Sequence, residues 1–226
     1  MLEVWIIFGI LLFISWIIRQ RFRLKFRKYM QLPVSGNYSG KEIAEKMLSE
    51  NSIYDVIVVS SKGVYNNYYN PIKKTLNLQG NVYNGRNIAY AAIAAHETGH
   101  AIQHNMGYSL LQMRSALVPV ISISSKIVLW VLLAGMFMLN LYPEILLFGI
   151  IMFATTTFFS FITLPVEIDA SNKALIWLNA SGITNAITYS KAKDALKLEA
   201  FTYVIDSIGS LATLIYYVKI YFGKDN

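Results

Sequence analysis

All three histidines of this 226-residue chain fall within nine consecutive positions, His96-Glu97-Thr98-Gly99-His100-Ala101-Ile102-Gln103-His104. Residues four apart on a helix share a face at about 6 Å, so His96 and His100 can aim ring nitrogens at one point. Two imidazoles placed this way are ligands for a divalent ion, zinc above all. Glu97, beside the first of them, can reach a water near that ion rather than the ion itself. The first five residues spell H-E-x-x-H, and the chemistry they point to is metal-assisted hydrolysis with Glu97 as general base.

The flanks fit a buried helix around such a site. Ile88-Ala89-Tyr90-Ala91-Ala92-Ile93-Ala94-Ala95 leads in, Ala101-Ile102 leads out, and no proline interrupts. Alanines and Gly99 leave room for an ion and a substrate. The plainer reading is a helix with two satisfied core histidines and a surface glutamate; it weakens as the membrane segments and later acidic residues are counted. His104 continues the four-residue spacing, yet at about 1.5 Å rise per residue it lies roughly 12 Å along the axis from His96. One ion with nitrogen ligands near 2 Å cannot join both. The extended zincin pattern wants a glycine and then a histidine further on, where this chain has Gln103 and Met106. His104 is therefore expected beside the site or at the surface.

Composition locates the chemistry. Hydrophobic residues make up 55% of the chain and charged ones 15%, with no cysteine, and the mean hydropathy is +0.43. Without cysteine, a zinc ion must be held by histidine and carboxylate. The net charge of +7 could indicate nucleic acid, but six of the 20 basic residues, Arg19, Arg21, Arg23, Lys25, Arg27 and Lys28, follow directly on the apolar run 4–18. A membrane-flanking role accounts for them, and no nucleic-acid partner is expected. Charge after the apolar run is the wrong order for a cleaved signal peptide, so the run reads as a retained anchor, its C-terminal side cytoplasmic. Apolar runs at 116–142 and 145–164, separated by Pro143-Glu144, predict a transmembrane hairpin. Lys126 is expected to snorkel to the interface. A fourth run, 204–222, carries Asp206 and Lys219; spanning, re-entering and surface-lying arrangements all remain open for it.

Residues 31–114 look water-soluble. Ser39 or Gly40 opens an amphipathic helix over 41–48. Residues 55–59 and 75–78 read as strands, with turn chemistry in Asn66-Asn67-Tyr68-Tyr69-Asn70-Pro71 between them. An extended substrate could add as a further strand beside 75–78.

A catalytic zinc keeps three protein ligands and one open position. With no histidine or cysteine to spare, the third must be acidic and on the same membrane side as His96. Two crossings of the hairpin bring the chain back near Pro165, where Val166-Glu167-Ile168-Asp169-Ala170-Ser171 follows. Glu167 and Asp169 both qualify, and spacing alone does not separate them.

Asn84-Gly85-Arg86, the histidine run and Leu164-Pro165-Val166-Glu167-Ile168-Asp169-Ala170-Ser171 together resemble a bacterial family of neutral zinc membrane metallopeptidases. The likeness covers nearly the whole chain. That family is similar to the membrane gluzincins, among them CAAX-type prenyl proteases and heat-shock-associated membrane proteases, whose third ligand is the Glu of E-x-x-x-D. The resemblance implies Zn2+ held by His96, His100 and Glu167. Their closing Asp falls at Ser171, a departure, and Asp169 is the alternative hydrogen-bond partner for a ligand histidine. Arg86 and Tyr203 are candidates to stabilise the oxyanion.

The expected protein is mainly α and integral to the membrane. A zincin-like α+β catalytic part, with a small sheet and the H-E-x-x-H helix, accompanies three to four transmembrane helices. The expected division is an anchor with basic flank at 1–28, a cytosolic zincin-like part at 29–115, a hairpin at 116–165, and a third-ligand helix with C-terminal apolar segment at 166–226. The expected activity is zinc-dependent cleavage of peptides or proteins, membrane proteins included, with the lipid bilayer as partner and the site on the cytoplasmic side of a bacterial plasma membrane. Two readings compete. A site-2-type intramembrane protease would use Asp206 as ligand, but Asn81, Asn84, Arg86 and Asn87 interrupt the stretch before His96 and no Leu-Asp-Gly motif is present. A non-catalytic metal-stabilised scaffold would have no use for Glu97.

Overall fold

A computed structural model describes residues 2–61 and 67–223. In chain order the elements are α1 (Leu2–Tyr29), α2 (Gly40–Glu50), β1 (Ile57–Ser61), β2 (Tyr68–Asn70), β3 (Thr75–Gln79), α3 (Gly80–Asn84), α4 (Ile88–Asn105), α5 (Ser109–Phe137), α6 (Pro143–Ala180) and α7 (Ala186–Phe222). The protein is mainly helical with one small sheet. It divides into two compact units, one of Met1–Ile17, Met113–Leu164 and Thr202–Asn226, the other of Ile18–Gln112 and Pro165–Phe201.

The second unit holds the histidines. α2 starts where expected: the Ser39 hydroxyl accepts from the Glu42 N–H at 3.3 Å, and the Glu42 carboxylate accepts from the Ser39 N–H at 2.6 Å. This reciprocal cap satisfies two N–H groups that the first turn leaves without helical partners. Ile43, Ala44, Met47 and Leu48 then form a buried stripe at helical spacing, sharing one apolar core with Leu76 and Leu78 of β3 and Ile88 of α4. In β3 the leucines alternate with half-buried Asn77, as a pleat requires.

The sheet order is β1-β3-β2, with β1 parallel and β2 antiparallel to β3. Three expectations change here. The first strand covers Ile57–Ser61, two residues later than 55–59. Tyr68–Asn70 is a strand rather than a turn, and the reversal moves to residues 71–74, where the Asn70 side chain accepts from the Ile72 and Lys73 N–H groups at 3.0 Å each. Asn66 lies outside the described residues. The third change concerns substrate: β3 is the central strand, both its edges taken by β1 and β2, so no chain can add beside 75–78.

The first unit is apolar outside as well as inside. Val128 and Leu132 of α5 and Leu146 and Ile150 of α6 make a small centre, while Trp130, Phe137, Leu141, Phe148 and Ile151 are exposed. Large apolar side chains turned outward are what a lipid-facing helix presents. Gly135 is needed for the hairpin, since a β-carbon there would stand 2.5 Å from the Leu146 Cα. The turn occupies residues 138–142 rather than Pro143-Glu144; Pro143 opens α6, where its missing N–H costs nothing. Among the described residues, Ser109–Phe137, Pro143–Ala180 and Ala186–Phe222 are long and apolar enough to cross a membrane. Residues 204–222, whose arrangement the sequence leaves open, form the second half of one unbroken helix.

Candidate metal centre

α4 begins at Asn87, whose side-chain oxygen accepts from the Tyr90 N–H at 3.0 Å. Its alanine-rich lead-in is buried nearly all round, and His96, Glu97 and His100 continue inside that buried stretch. α6 comes unusually close. A β-carbon on Gly99 would lie 2.6 Å from the carbonyl oxygen of Ala170, so only glycine admits this approach. One turn before Ala170, Glu167 thereby meets both histidines. Its Oε2 stands 3.1 Å from His96 Nε2 and 3.5 Å from His100 Nε2, and one ligand atom from each of His96, His100 and Glu167 lies within 4.8 Å of the others.

The other ring nitrogens are held from behind. His96 Nδ1 meets the Ser171 hydroxyl at 3.0 Å. His100 Nδ1 meets Gln103 Oε1 at 3.0 Å, and Gln103 Nε2 donates to the Val166 carbonyl and to Asp169 Oδ2, both at 2.8 Å. Two acceptors on Nε2 fix which end of the amide is oxygen, so His100 must carry its proton on Nδ1. Its Nε2 lone pair is then free to bind an ion beside Glu167.

Electrostatics favour positive charge at this point. Burial draws the His96 ring down, but its hydrogen bond to Glu167, with the charges of Glu199, Glu97 and Glu167, outweighs this and leaves it raised to about 9. Burial pushes the Glu97 carboxyl up, against the opposing pull of His96 and His100. Two imidazole nitrogens and one carboxylate, buried, pre-oriented and together anionic, fit zinc.

The remaining sequence candidates disperse. Asp169 turns to Gln103 and to Lys173 at 3.1 Å, and the partner of His96 is Ser171. The expectation that Asp169 bonds a ligand histidine is thus corrected to an indirect link through Gln103 to His100. Arg86 is committed elsewhere, to Glu42 at 3.0 Å and to the Asn37 carbonyl. Tyr203 and the exposed Asp206 belong to the other compact unit. His104 bonds the Tyr69 hydroxyl at 2.9 Å through Nδ1. Glu199 was missed: its charge acts on His96, His100, Glu97 and Glu167. The available signal was its position on α7 in series with Ala192, Ala195 and Leu196.

Comparison with known proteins places the chain in a family. "Putative membrane protease YugP" of Bacillus subtilis (strain 168) is 34% identical over 208 residues, covering 91% of this chain and 92% of that protein. No solved structure matches. Residues 4–222 match the family model described as "Putative neutral zinc metallopeptidase". A match of that extent, over a chain whose two histidines and a distant glutamate converge, means that this protein belongs to that zinc metallopeptidase family.

Proposed function

We propose that the chain is a membrane-bound, zinc-dependent endopeptidase in which His96, His100 and Glu167 hold the ion and Glu97 is the general base. The convergence of both Nε2 atoms on one Glu167 oxygen carries this reading. Bound there, zinc supplies Lewis acidity, acidifying water and polarising a peptide carbonyl. Glu97 takes the proton of the attacking water and passes it to the departing amine, a task suited to a carboxyl that burial has raised. Ser171 and the Gln103–Asp169 pair keep the imidazoles aimed. The donor group contains Glu167 and not Asp206, which favours this mechanism over a site-2-type one.

The catalytic part is zincin-like, within 29–115, completed by the third-ligand helix of 166–226. The anchor of 1–28 and the hairpin of 116–165 make the protein multi-pass in a bacterial plasma membrane, and the basic run after residue 18 puts the site on the cytoplasmic side. Substrates are peptides or proteins, membrane proteins among them. The sheet edge nearest α4 is β2, tied to it by the Tyr69–His104 bond, and an extended substrate would pair along Tyr68–Asn70.

The test is a pair of variants in the detergent-solubilised full chain. Glu97→Gln is expected to retain zinc and lose cleavage of membrane-protein and casein substrates; His96→Ala is expected to lose both. Cleavage by Glu97→Gln at the wild-type rate would overturn the reading.

A further inference from the structure

His104 takes part in no step above, yet the fold gives it a defined place beside the metal-binding turns. Successive residues of α4 are rotated by about 100°. Measured from His96, Gly99 and Gln103 fall about 60° and 20° to one side, where they meet Ala170, Val166 and Asp169 of α6. Glu97 and His104 fall about 100° and 80° to the other side. The general base and His104 therefore share the flank of α4 that turns away from α6.

That flank meets β2. The Tyr69 hydroxyl stands 2.9 Å from His104 Nδ1, with the two ring centroids 5.7 Å apart, and the Tyr69 ring packs against the core that holds Leu76 and Ile88. Among the described residues, Nδ1 is the acceptor this hydroxyl meets, so Tyr69 donates and the imidazole carries its own proton on Nε2. Nε2 bonds no protein atom among the described residues and is not sealed from solvent. The side chain is half-buried. It is a fixed donor with an open end.

β2 pairs with β3 on one side, and its other edge is free among the described residues to take an extended chain. His104 lies about 9 Å further along α4 than the mid-level of His96 and His100. An extended chain covers that distance in about three residues.

We propose that His104 is a substrate-binding residue whose Nε2–H receives a backbone carbonyl oxygen about three residues from the scissile bond, with the Tyr69 hydroxyl fixing the ring. The proposal rests on the peptidase reading and gives that site a minimum substrate length on one side of the cut.

The test uses the full chain, zinc-loaded in detergent. A cleavage site is mapped in casein, and peptides containing it, acetylated and amidated at their ends, are lengthened one residue at a time in two series, toward the amino and toward the carboxyl terminus. Wild-type kcat/KM is expected to rise about fivefold at one step, near the third residue of one series, the size of one neutral hydrogen bond. The gain should fall on KM. Two variants then split the imidazole. Asparagine offers an amide near the position of Nδ1 and can keep a partner for Tyr69, whereas glutamine reaches the position of Nε2 with an N–H donor. His104→Asn is expected to lose the step with zinc content unchanged, and His104→Gln to keep part of it. A histidine that served packing through Tyr69 alone would give the opposite order.

A wild type without a step in either series overturns the proposal. So does a step that survives in His104→Asn, or loss of zinc from that variant. Glu97→Gln, run on the longest peptides, separates the two failures: cleavage abolished there, with no length step in the wild type, overturns the role of His104 alone, while cleavage retained there overturns the peptidase mechanism whatever the step.

Discussion

Gly99 of α4 lies so close to Ala170 of α6 that a β-carbon at position 99 would stand 2.6 Å from the Ala170 carbonyl oxygen and 3.1 Å from its Cα. Both contacts are backbone, so no rotamer change relieves them. This single approach sets the separation of the two helices that carry the three candidate ligands, and one residue type at one position therefore controls whether Glu167 reaches His96 and His100.

Gly99→Ala is expected to push α6 away from α4 and lengthen both Nε2 to Glu167 distances. Overpacking of this kind costs about 1–3 kcal/mol, and bound zinc should fall with it. Metal content and thermal unfolding of the purified variant check this; wild-type values for both would show that α6 gives way freely.

Gln103 is fully buried and spends its amide on His100, Val166 and Asp169 together. Gln103→Leu keeps the approximate volume but leaves His100 Nδ1 without its acceptor. Loss of an orienting partner of this kind lowers metal affinity by about 10- to 100-fold, and chelator competition measures it. Asp169→Asn is expected to have a smaller effect, since the Val166 carbonyl still holds Gln103 in place. If Asp169→Asn costs as much as Gln103→Leu, the carboxylate acts on the site by another route.

Much of this was legible in residue types and spacing, and the parts that were not share a physical reason. The ligand-spaced histidines and the capping signal before Ile43 are local, decided within one or two turns. Glu167 became legible only through the resemblance, because the choice against Asp169 depends on helix phase. Residue 171 follows Glu167 by one turn and shares its face, whereas residue 169 is turned by about 200°. That phase sends Ser171 to His96 and Asp169 to Gln103. The Tyr68–Asn70 strand escaped notice because three residues between asparagines are too few to show alternation. Glu199 sits among lysines and an aspartate that read as a solvated helix face, although it stands in series with Ala192, Ala195 and Leu196, whose burial shows which way that face turns.

The Ser39 cap makes stability depend on pH in a definite direction. The Ser39 backbone N–H, then its hydroxyl, then Arg86 hold the Glu42 carboxyl below the ordinary carboxylate range. A carboxyl whose folded value is depressed stabilises the fold fully above its unfolded value, near 4.3, and loses that contribution as pH falls through the folded value. The group is exposed, so solvent screens most of the charge term. Ser39→Ala is expected to cost about 1 kcal/mol at neutral pH. The gap between wild type and Glu42→Gln in thermal unfolding should narrow between pH 6 and pH 3; a gap that stays constant would mean that the carboxylate charge is not what the cap uses.

Ser171 stands where the related E-x-x-x-D motif has an aspartate, and its hydroxyl meets His96 Nδ1 at 3.0 Å. A hydroxyl holds the ring in place but adds no charge, so His96 is a weaker ligand than one backed by a carboxylate. Ser171→Ala leaves the buried Nδ1 unsatisfied and is expected to lower zinc affinity about tenfold. Ser171→Asp restores the carboxylate–histidine pair and is expected to raise affinity above wild type, provided that the larger side chain is accommodated, which unfolding temperature reports independently. Affinities from chelator competition in the order Asp, Ser, Ala would establish that residue 171 tunes the metal through His96. A folded Ser171→Asp variant with wild-type affinity would show instead that the hydroxyl only fills space behind the ring.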